Sequence, residues 1–150
     1  MLVPMELSRV LILDASPEQF ITLTECGGTR SFAIKIGTAE ALAIERRLRG
    51  QRAPRPQTHD LLEQVIETLG AELERIVIHH LDGGTYYANL MLRRGDELLK
   101  VDARPSDAIA LGVGLETPIE VAESVLELAG EEPPEVEPPI ETGEGDDDDE

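Results

Sequence analysis

The chain is short of the residues that many functions need. It has one cysteine, Cys26, so no disulfide can form within it, which fits a reducing compartment and a cytoplasmic setting. It has no tryptophan, two phenylalanines and two tyrosines, so the core must be built from Leu, Ile, Val and Ala, and little aromatic surface remains for stacking bases. No run of apolar residues is long enough to cross a membrane. The first residues have neither a basic stretch nor a long apolar one, so a secretory leader is not expected. The signatures of nucleotide-binding loops, helical zinc proteases and serine hydrolases are also missing.

What is present is acidic charge, unevenly placed. The net charge is −18, and residues 131–150 carry eleven acidic side chains and no basic one. With four prolines in the same stretch, this segment is expected to be a disordered acidic tail behind a single domain of residues 1–130. Eleven of the thirteen basic residues are arginines, and five of them (Arg46, Arg47, Arg49, Arg52 and Arg55) fall within ten positions without an acid between them. That segment either attracts phosphate or simply complements a helix C-terminus.

Hydrophobic periodicity predicts an α+β domain made of two antiparallel three-stranded meanders, each followed by helix. The first meander comprises residues 7–13, 20–24 and the alternating Phe32, Ile34 and Ile36. A helix begins at Thr38 as N-cap, with Ala41, Ile44 and Leu48 as its apolar stripe. A second begins at Thr58, with Leu61, Leu62, Val65, Ile66 and Leu69 facing the core and Asp60, Glu63 and Glu67 facing out. The second meander runs from 73 to 102 through the turn signals Asp82-Gly83-Gly84 and Arg94-Gly95-Asp96. A buried apolar helix over 108–113, a short strand over 118–121 and a last helix over 123–128 complete the domain.

Two polar clusters sit at helix starts, where free N–H groups and the dipole favour anions. In Arg55-Pro56-Gln57-Thr58-His59-Asp60, His59 suits proton transfer near neutral pH and Asp60 suits a metal or an oriented water. Dipole stabilisation explains Asp60 equally well, and packing explains His59. In Asp102-Ala103-Arg104-Pro105-Ser106-Asp107, the two carboxylates suit a hard cation and Arg104 suits a phosphate. The alternative is an Asp102–Arg104 ion pair with Ser106 or Asp107 as a cap. His79 and His80 point to opposite faces of a strand and cannot share a metal. Glu40, in a first helical turn, is explained by the dipole alone.

Three segments, Phe32–Ala43 (FAIKIGTAEALA), Arg55–Leu62 (RPQTHDLL) and Val101–Leu111 (VDARPSDAIAL), together resemble the bifunctional nuclease (DNase/RNase) domain family. The turn Asp82–Ala88 and the strand Pro118–Val121 extend the resemblance over about residues 7–129. It implies one α+β domain, self-association as a homo-oligomer, and cleavage of both DNA and RNA. The polar members of the matching motifs are Glu40, His59, Asp60, Asp102, Arg104, Ser106 and Asp107. The expectation is therefore metal-assisted phosphodiester hydrolysis. Asp102, Asp107 and Asp60 would hold Mg²⁺ or Mn²⁺, His59 would act as acid or base, and Arg55, Arg104, Arg46 and Arg49 would bind the nucleic acid. The competing expectation is a non-catalytic module that binds an anion or a partner protein. The acidic tail lies outside the family pattern and opposes nucleic-acid binding.

Overall fold

The computed structural model describes residues 1 to 131, so the acidic segment beyond them lies outside the described residues. Both meanders are present. Leu2–Leu11 (β1), Glu18–Glu25 (β2) and Ser31–Gly37 (β3) form the first, followed by Thr38–Leu48 (α1) and Thr58–Thr68 (α2). Glu72–Asp82 (β4), Thr85–Arg94 (β5) and Glu97–Ala103 (β6) form the second. Pro105–Val113 (α3), Ile119–Ala122 (β7) and Glu123–Glu131 (α4) follow. The tight β4–β5 turn needs left-handed backbone, and Gly83 (φ 58°) and Gly84 (φ 83°) supply it without a Cβ penalty.

The meanders are not separate sheets. They merge into one seven-stranded mixed sheet in the order β3-β2-β1-β7-β4-β5-β6. The short strand β7 is the seam: it runs antiparallel to β1 through Leu2↔Ala122 to Met5↔Ile119, and parallel to β4 through Ile76↔Ile119 to Ile78↔Val121. This explains why β1 starts five residues before the expected strand, since Leu2–Met5 alternates into the core only once β7 is beside it. The sheet also curls: Phe32 on β3 stacks with Tyr86 on β5 at 5.5 Å between ring centroids, although four strands lie between them in the sheet order. The core is aliphatic, as the composition requires, with Ile21, Leu23, Ile44, Ile76, Ile78, Ile109, Leu111 and Val121 among its fully buried side chains. No helix among the described residues is long and apolar enough to cross a membrane.

The helices hold the main corrections. Gly37 and Gln57, not Thr38 and Thr58, are the N-caps of α1 and α2. Thr38 instead accepts a hydrogen bond from Gln19 Nε2 at 3.2 Å. On α1, Ala41 and Ile44 are buried as expected, but Leu48 is exposed and Arg47 takes the buried place. On α2 the expected orientation holds for Ile66 and Glu67 and fails for the other positions named. Only Ile66 is buried, while Leu61 (54% exposed), Val65 (44%) and Leu69 (64%) form an outward ridge. Asp60 and Glu63 turn inward because Arg47 waits there. The Arg47 side chain is 6% exposed and donates to the carboxylates of both Asp60 and Glu63, and to the carbonyls of Ala110 and Leu111 on α3. A buried guanidinium requires anionic or carbonyl partners, and this requirement overrides the apolar pattern of α2.

Candidate active site

Three helix beginnings meet at one cleft of about 280 Å³. Ala39, Glu40 and Ala43 come from the start of α1, Gln57, Thr58 and His59 from the start of α2, and Arg104 and Asp107 from the start of α3; Arg46 closes the wall. Each helix start presents the positive end of its dipole and first-turn N–H groups, so their convergence favours an anion.

The side chains form a connected chain of contacts. His59 Nε2 lies 3.0 Å from Asp107 Oδ1, and Arg104 Nε donates to Asp107 Oδ2 at 2.9 Å. Arg104 also donates from its terminal nitrogen to Glu40 Oε2 at 3.1 Å. These two carboxylates, Asp107 first and Glu40 second, raise the Arg104 pKa further above its ordinary value. The sequence motifs are thus joined in space: His59 from the second, Asp107 and Arg104 from the third and Glu40 from the first. Glu40 is not merely a dipole partner, because it fixes the outer edge of Arg104. It lies over Gly37, where any Cβ would collide with its carboxylate.

Two expected members are elsewhere. Asp60, one residue after His59, points away from the cleft. Its Oδ2 accepts from the Gln57 backbone N–H at 3.0 Å, completing a capping box, and from Arg46 at 3.1 Å, while Oδ1 accepts from Arg47. Burial pushes the Asp60 carboxyl up, but the Gln57 N–H and the two guanidinium groups outweigh it and hold its pKa below the usual value. Asp102 lies on the edge strand β6 opposite Asn89, exposed, and does not line the cleft. It makes no ion pair with Arg104, which pairs with Asp107 and Glu40 instead. Ser106 is buried, and the N-cap of α3 is Arg104 rather than Ser106 or Asp107.

The donor set expected for a divalent metal is therefore not assembled. Asp60, Asp102 and Asp107 do not come together, and among the described residues no group of three or more His, Cys, Asp or Glu side chains could hold a metal ion. The two carboxylates that do share the cleft, Glu40 and Asp107, are bridged by the Arg104 guanidinium. Mg²⁺ keeps several waters and is usually held by one or two carboxylates beside a substrate phosphate, but a cation between these two groups would have to displace Arg104.

The family model described as the bifunctional nuclease domain matches residues 21–134. The chain belongs to the bifunctional nuclease domain family. It is 43% identical over 110 residues to an uncharacterized protein of Mycobacterium tuberculosis, a match covering 73% of the chain and 65% of that relative. It is 29% identical over 118 residues to a protein named Bifunctional nuclease 1 in Oryza sativa subsp. japonica, covering 75% of the chain and 36% of the relative. Bifunctional nuclease 2 of the same plant is 28% identical over 118 residues, with 76% and 36% covered. The chain thus spans less than two thirds of the length of these relatives.

In this bifunctional nuclease domain, the basic segment divides by role. Arg47 and Arg46 are drawn inward, and Arg46 also donates to the Gln51 carbonyl at 3.1 Å. Arg49 is exposed and pairs only loosely with Glu45 at 3.6 Å. Arg52 and Arg55 are exposed and make no ion pair among the described residues. The sequence reading missed Arg47. Its signal was present, since positions 41, 44 and 47 share a helix face and an arginine on an apolar stripe needs buried partners.

Proposed function

We propose that this domain hydrolyses phosphodiester bonds of DNA and RNA at the cleft where α1, α2 and α3 begin. The observation that carries this reading is the His59–Asp107–Arg104 chain placed among three helix N-termini. A phosphate in the cleft meets first-turn N–H groups and the outer donors of Arg104. With Nε2 of His59 donating its proton to Asp107, Nδ1 is left as the base. Nδ1 takes a proton from water, the water oxygen bonds to phosphorus, and the bond to the leaving oxygen breaks. The leaving oxygen takes its proton from a solvent water and the imidazolium returns its own to solvent, while Asp107 stabilises the charged ring in between. Arg104 neutralises the developing charge on phosphate. The steps of this reading use no metal, since the two carboxylates of the cleft are engaged by Arg104.

Arg55 and Arg49, exposed beside the start of α2 and the end of α1, are suited to the flanking phosphates. A cytoplasmic setting keeps Cys26 reduced. Self-association as a homo-oligomer is part of the same reading, and the outward ridge of α2 supports it. Unpaired Arg52 and Arg55 precede that helix and unpaired Glu67 and Glu72 flank its end, so two copies packed antiparallel would place opposite charges together.

A cleavage assay on single-stranded DNA and RNA tests the assignment. His59→Ala and Asp107→Asn are expected to lower the rate by about a hundredfold or more, while Asp102→Asn leaves it unchanged. Full activity in both site variants would refute the proposal. A second reading, an anion-binding module without hydrolysis, is favoured by the three helix N-termini at the cleft, which bind phosphate without any catalytic group. It predicts phosphate binding that Arg104→Ala abolishes, with no cleavage by the unaltered protein.

A further inference from the structure

A second cleft, of about 410 Å³, opens on the other side of Arg104. It lies between the end of β3, the β4–β5 turn and the start of α3. Arg104 lines both clefts, so they adjoin one another. Their chemistry differs. The first is ringed by charge and helix beginnings. The second is lined by Ile34 and Ile36 of β3 and by Tyr86 and Thr85 of β5, with Gly84 beside them, and it carries one exposed ion pair, Lys35 with Glu18 at 3.3 Å.

The aromatic wall matters in a chain with four aromatic side chains in all. Tyr86 is half-buried, and Phe32 stacks against it at an interplanar angle of 22°, which fixes the plane of the ring. A ligand filling both clefts would need an anionic group next to a flat body with apolar faces and a polar edge. A nucleotide has that structure, and a volume of several hundred Å³ is suitable for one. Ring stacking accepts any base, and no side chain here is arranged to select one.

We infer that this second cleft holds the nucleoside adjoining the scissile phosphate, with its base against Tyr86. The inference takes the position of the phosphate from the hydrolysis reading, and its test separates the two. Binding of AMP, ribose 5-phosphate and inorganic phosphate to the full chain is followed by NMR chemical shifts. AMP is expected to bind about tenfold more tightly than ribose 5-phosphate and to shift the signals of Tyr86, Ile36 and Gly84. Tyr86→Ala should abolish that preference and leave inorganic phosphate binding unchanged, while Tyr86→Phe should keep it. Thr85→Trp, at an exposed position on the rim, should block AMP without removing any core group. Equal affinity for AMP and ribose 5-phosphate, or an AMP preference that survives both Tyr86→Ala and Thr85→Trp, would overturn the inference. A chain that prefers AMP but cuts no strand supports the pocket and overturns hydrolysis. A chain that cuts ordinary and abasic strands equally well does the reverse.

Discussion

Replacing Arg47 with methionine removes the guanidinium that ties α1 to both α2 and α3. Methionine keeps much of the length and apolar stem but donates nothing. The Ala110 and Leu111 carbonyls, both buried at this contact, lose their donor. An orphaned buried carbonyl costs on the order of 1–3 kcal/mol. Asp60 and Glu63 lose a charge partner as well, but each is about a quarter exposed and rehydrates, and Asp60 keeps Arg46 and the Gln57 N–H. The sum is roughly 3–4 kcal/mol, within the range for breaking a buried ion pair from one side. With a urea slope of about 2 kcal/mol per molar, the unfolding midpoint should fall by roughly 1.5–2 M. Arg47→Lys should recover only part of this, because an ammonium cannot present donors in three directions at fixed spacing. Cleavage should fall too, since Asp60 holds the first turn of α2 and His59 is the residue immediately before it. A midpoint within about 0.3 M of the unaltered protein, by the same extrapolation, would refute the reasoning.

Other outcomes follow from the same contacts. The folded-state pKa of Asp60 is lowered, so its stabilisation is fully present above the ordinary carboxylate range and is lost as pH falls below it. Asp60→Asn should therefore flatten the acid limb of the stability curve below the ordinary carboxylate range, as measured by urea midpoints at each pH. Leu61→Glu with Leu69→Glu should leave monomer stability within about 0.5 kcal/mol, since both are surface positions. The same change should shift a homo-oligomer to monomer in light scattering; an unchanged mass would remove α2 from the interface. Because the cleft lacks a metal donor set, cleavage should survive a chelator, and its complete loss in EDTA would contradict the mechanism. Deleting residues 132–150 removes ten carboxylates and should strengthen binding of single-stranded nucleic acid at low salt, with the gain vanishing as salt rises.

Local pattern was a reliable guide where one face of an element met one environment. The alternation of Phe32, Ile34 and Ile36, the paired glycines at 83–84 and the apolar run in α3 each identify an element without knowledge of its neighbours. The cleft was legible in part. His59, Asp107 and Arg104 were recognisable as polar groups at helix starts, but nothing in their spacing states that α2 and α3 begin at the same point. Asp60 was misread because it adjoins His59 in sequence. On a helix, adjacent residues point about 100° apart, so one can face a cleft while the next faces Arg47. Asp102 was misread because its strand, β6, lies at the edge of the sheet.

Composition and periodicity by themselves determined an aliphatic α+β core, two meanders, helices starting near residues 38, 58 and 108 (the last begins at Pro105 in the structure), and an acidic end. These properties depend on each residue's own solvation and backbone preference. Only the tertiary structure decided that β7 fuses the meanders, that α2 turns its leucines outward, and which carboxylates share the cleft with His59. Those outcomes depend on contacts between separate elements, such as Leu2–Met5 pairing with Ile119–Ala122 and Arg47 reaching Asp60, Glu63 and the carbonyls of α3, and such contacts leave no periodic trace in the chain.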